Sequence, residues 1–105
     1  MGQIKQVTQT VSKTTAVVAH SYLGTITTVA LTDAAQGTFE FTVTNKYVKR
    51  KANIQLTVEY SGTTGTVDAR IKSYARGSFI IKITNVNATE ALNALAKVHY
   101  SVIHD

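Results

Sequence analysis

The chain is 105 residues long and contains no cysteine and no proline, so we expect one domain with a single core, stabilised by neither disulfides nor cysteine-ligated metals. Its formal net charge of +5 favours an acidic partner surface, whether protein, glycan or nucleic acid. No apolar run approaches the roughly 20 residues of a membrane-spanning helix, and the N-terminus lacks the apolar core of a secretory signal. We therefore expect a soluble protein that is made inside a cell and has no membrane contact.

The first residues are polar and only weakly patterned. Ile4, Val7 and Val11 are spaced too widely for a strand of their own, so residues 1–14 are interpreted as an extended N-terminal arm, with a disordered tail as the alternative. The steady supply of β-branched residues favours the ordered arm. The folded domain is predicted to span residues 15–105.

From residue 15 onward, apolar and polar residues alternate in short runs, which is typical of half-buried β-strands. Residues 62–65 are interpreted as a four-residue hairpin loop, and Asn87 with Glu90 as the capping box of a helix of one or two turns. The short runs and short connections predict an all-β fold, a single antiparallel β-sandwich or jelly-roll-like domain of seven to eight strands. The predicted strands are Thr15–His20, Leu23–Leu31, Thr38–Thr44, Asn53–Tyr60, Val67–Tyr74, Ser78–Thr84 and Lys97–Ile103.

Nine residues occur twice, forty positions apart: Gly37–Asn45 returns in altered form as Gly77–Asn85. In each copy a glycine supplies an entry turn, apolar residues follow at every second position, and an asparagine ends the strand by bonding its own local backbone. Duplication and convergence both explain the repeat. The copies are expected to be two matching edges of the sandwich, with Glu40 facing water and Ile80 lying against a second sheet or a neighbouring subunit.

The most basic stretch is a loop containing Lys46, Tyr47, Lys49, Arg50 and Lys51. A solvated loop is the first interpretation, docking on an acidic protein surface the second and nucleic-acid binding the third. Nucleic-acid platforms interleave several aromatic and basic side chains, whereas the other tyrosines of this chain are mostly expected on core faces. The sequence therefore does not favour nucleic acid as a partner.

Residues that could carry catalysis or bind metal show no known arrangement. His20, His99 and His104 lack the spacing of zinc sites, and only Asp33 and Asp68 lie where a cleft could use a carboxylate. No serine lies in a nucleophile elbow, and there is no glycine-rich phosphate loop. We expect no enzyme activity, no metal site and no cofactor.

The chain from Thr32 to His104 resembles small β-sandwich structural proteins of tailed bacteriophages. The resemblance rests on the strand Gly37–Asn45, a strand such as Ile54–Val58, the strand Gly77–Asn85 and a closing strand such as Val98–Ile103. It implies a virion protein assembled in the host cytoplasm: a capsid decoration (cement) protein on the capsid surface, a head-fibre element or a tail-tip module. A homotrimer is implied by the resemblance alone.

The leading hypothesis is thus a non-enzymatic decoration protein that binds the major capsid protein or another virion protein. Ile4, Val7 and Val11 of the arm would dock on a neighbour, Ile80 would contact a subunit, and residues 46–51 would face an acidic lattice. The first alternative is a receptor- or glycan-binding fibre tip that uses exposed loop residues around 61–66 and 85–89. The second is a small nucleic-acid-binding β-domain.

Overall fold

The computed structural model describes residues 4–104 and is all-β. The strands are β1 (Ile4–Thr8), β2 (Val17–Val18), β3 (Leu23–Thr27), β4 (Thr38–Thr44), β5 (Ala52–Tyr60), β6 (Val67–Ala75), β7 (Ser78–Asn85) and β8 (Ala96–His104). They form two four-stranded sheets with the orders β1-β3-β8-β5 and β2-β4-β7-β6. The predicted all-β class and strand number are confirmed.

Both sheets are mixed, so the prediction of a purely antiparallel domain is wrong. β1 pairs with β3, and β2 with β4, in parallel, while every other pair is antiparallel. The cause is the path of the chain, which passes from one sheet to the other after each of the first five strands. When the chain leaves a sheet, adds one strand to the other sheet and comes back, the next strand runs parallel to the one it left, as β3 does to β1 and β4 to β2. For the same reason residues 62–65 do not form a hairpin: β5 and β6, which they join, belong to different sheets.

Strands with strict alternation were predicted well. β4 has the predicted bounds, β5, β6 and β7 are each one residue longer than predicted, and β8 is one residue longer at each end, because cross-strand pairing continues as far as the alternation does. The predicted helix is absent from residues 4–104. Asn87 Oδ1 does accept hydrogen bonds from the backbone N–H groups of Thr89 and Glu90, each at 2.9 Å, but the turn is not continued. This local bonding is an Asx turn rather than a helix start.

The expectation that Ile4, Val7 and Val11 are spaced too widely for a strand is also wrong. β1 pairs with β3 over five residues, and Val7 packs against the core. The segment that follows folds back, since the Gln9 side-chain amide donates to the Lys13 carbonyl oxygen at 2.9 Å. The described part of the predicted arm thus lies in a sheet and a turn, and an extended arm is not confirmed.

The two copies of the repeat are the central strands of one sheet, not two edges. They pair antiparallel over seven positions, from Thr38 opposite Thr84 to Thr44 opposite Ser78. The pairing is reciprocal at its ends: the Asn45 N–H donates to the Gly77 carbonyl oxygen at 2.9 Å, and the Asn85 N–H to that of Gly37 at 2.8 Å. The repeat therefore pairs with itself, and each glycine lies beside the terminal asparagine of the other copy.

Side chains of both sheets build one apolar core. Tyr100 contributes its ring, stacked edge-on against Phe79 with the centroids 5.5 Å apart, and its hydroxyl lies 2.7 Å from Ser21 Oγ. Burial raises the pKa of Tyr100, opposed by the hydrogen bond with Ser21. Apolar residues at alternate positions, such as Ile54, Leu56 and Val58 of β5 and Val98, Tyr100 and Val102 of β8, are buried in this core or pack against it. Its fully buried members include Ile26, Leu31, Val43, Val48, Phe79, Ile81, Ile83 and Val98.

Candidate functional site

The loop between β4 and β5 is held in place by a buried asparagine. Asn45 follows β4 directly and is fully buried, and its Oδ1 accepts the backbone N–H of Tyr47 at 2.9 Å, as the sequence predicted. Its Nδ2 also donates to the Ser21 carbonyl oxygen at 2.6 Å, a contact that the sequence did not indicate. The loop is braced from the other side by the β6–β7 turn, where the Gly77 N–H donates to the Val48 carbonyl oxygen at 2.9 Å.

Five exposed cationic side chains gather on this loop and on the adjoining β6–β7 turn. We call this group the basic pole: Lys46, Lys49, Arg50, Lys51 and Arg76. The ion pairs of the described residues all lie elsewhere and involve Asp33, Glu40, Glu59 and Asp68. Within residues 4–104, therefore, no carboxylate neutralises the basic pole. The sequence indicated the loop cations but not Arg76, which only the pairing of the repeat strands brings beside them.

Three tyrosines surround the basic pole. The rings of Tyr22 and Tyr47 lie with their centroids 4.6 Å apart and tilted by 32°, and Lys46 Nζ is 5.5 Å from the Tyr47 centroid. Tyr74 lines a surface hollow together with Lys51. Tyr22 and Tyr74 are each 43% exposed, so the expectation that the remaining tyrosines lie mostly on core faces is wrong for both. It does describe Tyr100, which is buried.

A second surface feature is the edge of β5 that has no hydrogen-bonded neighbour; β6 of the other sheet lies near this edge without pairing with it. Edge strands expose unpaired backbone groups, which proteins protect with short strands, bulges or charged residues. Three of the four edge strands in the described residues are protected in this way. β2 has only two residues, and the five-residue β1 carries Lys5. β6 is bulged between Ile71 and Ser73 and carries two basic residues, Arg70 and Lys72. β5 has nine residues in unbroken register with β8, and its one charged residue is Glu59 near the end.

The predicted docking residues outside the loop are scattered. Ile4 is 61% exposed on β1 beside Leu23 of β3, whereas Val11 is 82% exposed in the following turn and Val7 is half-buried. Ile80 is half-buried on the face of β7 opposite to its core residues, so it does not lie against the second sheet. A subunit contact at these residues stays a prediction.

The histidine and aspartate side chains that could serve in catalysis or metal binding do not form a cluster, and His99 and Asp68 each bond to different neighbours. His99 Nδ1 lies 2.9 Å from Thr25 Oγ1 and its Nε2 lies 3.2 Å from Glu59 Oε1, on an exposed sheet face. Asp68 pairs with its neighbour Arg70 at 2.9 Å. In the part of the chain that the structure describes, no cluster of three or more possible ligands could hold a metal ion. Nor does that part contain a helix long and apolar enough to cross a membrane.

The loops suggested for glycan binding are internally bonded. The side chain of Asn85 is 1% exposed and occupied by backbone groups, so it is not available as expected. In the 61–66 loop, Asn93 Oδ1 accepts the Thr63 N–H at 3.0 Å, and the Tyr60 hydroxyl donates to the Thr64 carbonyl oxygen at 2.7 Å. These contacts occupy several polar groups of the two loops.

Comparison with known proteins identifies no relative: no family model, no curated protein and no solved structure matches the chain.

Proposed function

We propose that the chain is a non-enzymatic virion structural protein, a capsid decoration protein that stabilises a phage head through contacts with its own copies and with the major capsid protein. The class rests on the resemblance of residues 32–104 to small phage structural proteins. We further propose that its two sheets pack as a β-sandwich, because residues of both contribute to a single buried cluster.

The observation that carries the assembly role is the edge of β5, which has no hydrogen-bonded neighbour. Nine regular residues without a bulge, a proline or a basic side chain form a ready template for another strand, whereas the other three edges are protected. Strand addition at such an edge supplies main-chain hydrogen bonds, with side-chain contacts giving specificity. A neighbouring copy of the chain at this edge would produce the homo-oligomer, and the resemblance implies that it is a trimer.

A matched pair of lysine substitutions tests this edge. Thr57→Lys places a charge in the middle of β5, and Ser73→Lys places the same charge on the bulged edge of β6; both residues are exposed. We expect the wild-type chain and Ser73→Lys to have the same oligomeric mass by light scattering, and Thr57→Lys to have a lower mass. A monomeric wild-type chain at high concentration, or three equal masses, would contradict the proposal.

The location in the particle needs a second experiment. Particles assembled with the chain should carry hundreds of copies by quantitative mass spectrometry, and the chain should give no hits on a glycan array. A few copies per particle would instead favour the fibre tip. Deletion of residues 1–12, which an extended arm would suggest as a test, is unsuitable because it removes β1 and the buried Gln9.

A further inference from the structure

We propose that the basic pole and its tyrosines form a binding site for single-stranded nucleic acid. This inference goes beyond the decoration role and does not depend on it. The phosphates of the strand would lie along the cations of the basic pole, and unpaired bases would stack on Tyr22, Tyr47 and Tyr74. Sequence alone ranked this partner last because the aromatic side chains were expected elsewhere, and the positions of Tyr22 and Tyr74 remove that objection.

The charge of the pole is unneutralised within the described residues. Lys13, Arg70 and Lys72 each lie 2.8–3.0 Å from a carboxylate oxygen, whereas the five cations of the basic pole have no such partner in residues 4–104. Like charges held together on this loop and the adjoining turn repel one another, and the repulsion is relieved when a polyanion binds. Because the Debye length is about 8 Å at physiological salt, these neighbouring charges act jointly on a bound strand.

The aromatic side chains are placed as stacking surfaces rather than as core. Tyr22 and Tyr74 expose 43% of their surface, and the Tyr22–Tyr47 pair is fixed because Asn45 bonds both the Ser21 carbonyl oxygen and the Tyr47 N–H. Positively charged surfaces with aromatic rings are the usual combination in proteins that bind single strands, since every base has a face to stack.

The alternatives fit these rings less well. In a duplex the bases are already stacked on each other, so a double strand would use the cations and leave the tyrosines without a role. An acidic protein surface would likewise pair with the cations alone. Bases that are free to stack are offered only by a single strand, and we therefore commit to that ligand.

The test measures fluorescence anisotropy of a labelled ten-nucleotide oligothymidylate with the full chain across a salt series. Each phosphate contact contributes about −0.7 to the slope of log affinity against log salt for single strands. The pole variant Lys49→Gln with Lys51→Gln should reduce the magnitude of that slope by about 1.4 and weaken binding about 25-fold at 0.1 M salt. The control, Lys82→Gln with Lys97→Gln, removes two exposed charges outside the pole and should leave the slope unchanged.

Stacking is tested separately at Tyr74, which is exposed and not part of the core cluster. Tyr74→Phe keeps the ring and should bind as the wild-type chain does, whereas Tyr74→Ser should weaken binding without changing the salt slope. The proposal is overturned if no binding occurs at 50 mM salt, if the control pair loses as much affinity as the pole pair, or if polyglutamate or a duplex of equal charge competes as well as the single strand. None of these results bears on the β5 edge, so the two proposals fail independently.

Discussion

The sharpest prediction concerns Asn85, the asparagine that ends the second repeat strand. Its side chain is 1% exposed, and its Nδ2 lies within hydrogen-bond distance of the carbonyl oxygens of Asp33, Ala34 and Glu90 at 3.2, 3.2 and 2.8 Å. Its Oδ1 accepts the backbone N–H groups of Thr66 and Asn87 at 3.2 and 3.1 Å. A single amide thus ties three connecting segments to the end of β7.

The cost of Asn85→Ala follows from which partners keep another bond. The Asp33 carbonyl oxygen still accepts the Leu92 N–H, and the Ala34 carbonyl oxygen still accepts the Gly37 N–H, each at 2.9 Å. Of the five groups that lose the amide, three keep no other hydrogen bond within the described residues: the Thr66 and Asn87 N–H groups and the Glu90 carbonyl oxygen. An unsatisfied buried group costs about 1–3 kcal/mol, and the low end applies because these loops are partly exposed to water. We expect a loss of about 3 kcal/mol, which is about 12 °C in melting temperature for a domain of this size.

Urea unfolding followed by circular dichroism measures this loss, with Asn53→Ala as the control because Asn53 is exposed on β5. The control should change the free energy of unfolding by less than about 0.5 kcal/mol. Asn85→Asp tests the direction of the bonds: it keeps an acceptor for the two N–H groups but places a negative charge against three carbonyl oxygens. The reasoning is refuted if Asn85→Asp is as stable as the wild-type chain, or if Asn85→Ala costs no more than the control.

Three further predictions concern two core positions and one ion pair. Gly24→Ala should destabilise the fold by about 1–3 kcal/mol in urea, because the added Cβ would overlap the ring of Tyr100, and an unchanged midpoint would disprove that close packing. Because burial raises the pKa of Tyr100, the unfolded chain loses its phenolic proton at a lower pH than the folded chain does, so the free energy of unfolding should fall as pH rises above about 10. Tyr100→Phe removes this group and should flatten the decline. Identical pH profiles for the two chains would contradict the prediction. The side chain of Asp33 is only 5% exposed, and Lys13→Met removes the ammonium group that lies 2.8 Å from its carboxylate. A double-mutant cycle of Lys13→Met with Asp33→Asn should give a coupling free energy of about 1–2 kcal/mol, and a value of zero would contradict the prediction.

How far the sequence predicts this fold depends on the range of the interaction that decides each feature. The bounds of β4 follow from alternation between a glycine and an asparagine, and the bond from Asn45 Oδ1 to the N–H two residues on is local; both were predicted. Pairing partners are not local. Two strands with the same alternation can lie side by side in one sheet or at two separate edges, and the alternation alone does not decide between these arrangements.

The residues of the candidate sites also divide into those that local sequence indicates and those that only the tertiary structure brings together. Composition indicates the cations of the 46–51 loop, because four of six residues are basic. It cannot indicate Arg76 or Tyr74, which reach the loop only through the β6–β7 turn, nor Tyr22, which stacks on Tyr47 from a segment 25 positions earlier. The unprotected edge of β5 becomes visible only with the strand order, since an edge is a property of the sheet and not of the strand.

The two copies of the repeat hold different loops at the opposite ends of the β4–β7 strand pair. The pairing of the copies is symmetric, but the asparagines hold different loops: Asn45 fixes the Tyr22–Tyr47 pair at the basic pole, and Asn85 fixes the connections around Asp33. Asn45→Ala orphans two groups, the Tyr47 N–H and the Ser21 carbonyl oxygen, so it should cost about 2 kcal/mol against about 3 kcal/mol for Asn85→Ala.

Binding should show the opposite order. Asn45→Ala should weaken oligothymidylate binding because it releases the stacked tyrosines, whereas Asn85→Ala should leave the affinity unchanged at temperatures where both variants are folded. Anisotropy measured beside a circular-dichroism check of folding gives both quantities from one preparation. If the two variants lose affinity in proportion to their loss of stability, then the asparagine of the first repeat supports only the fold, and the stacked pair at the pole has no separate role in binding.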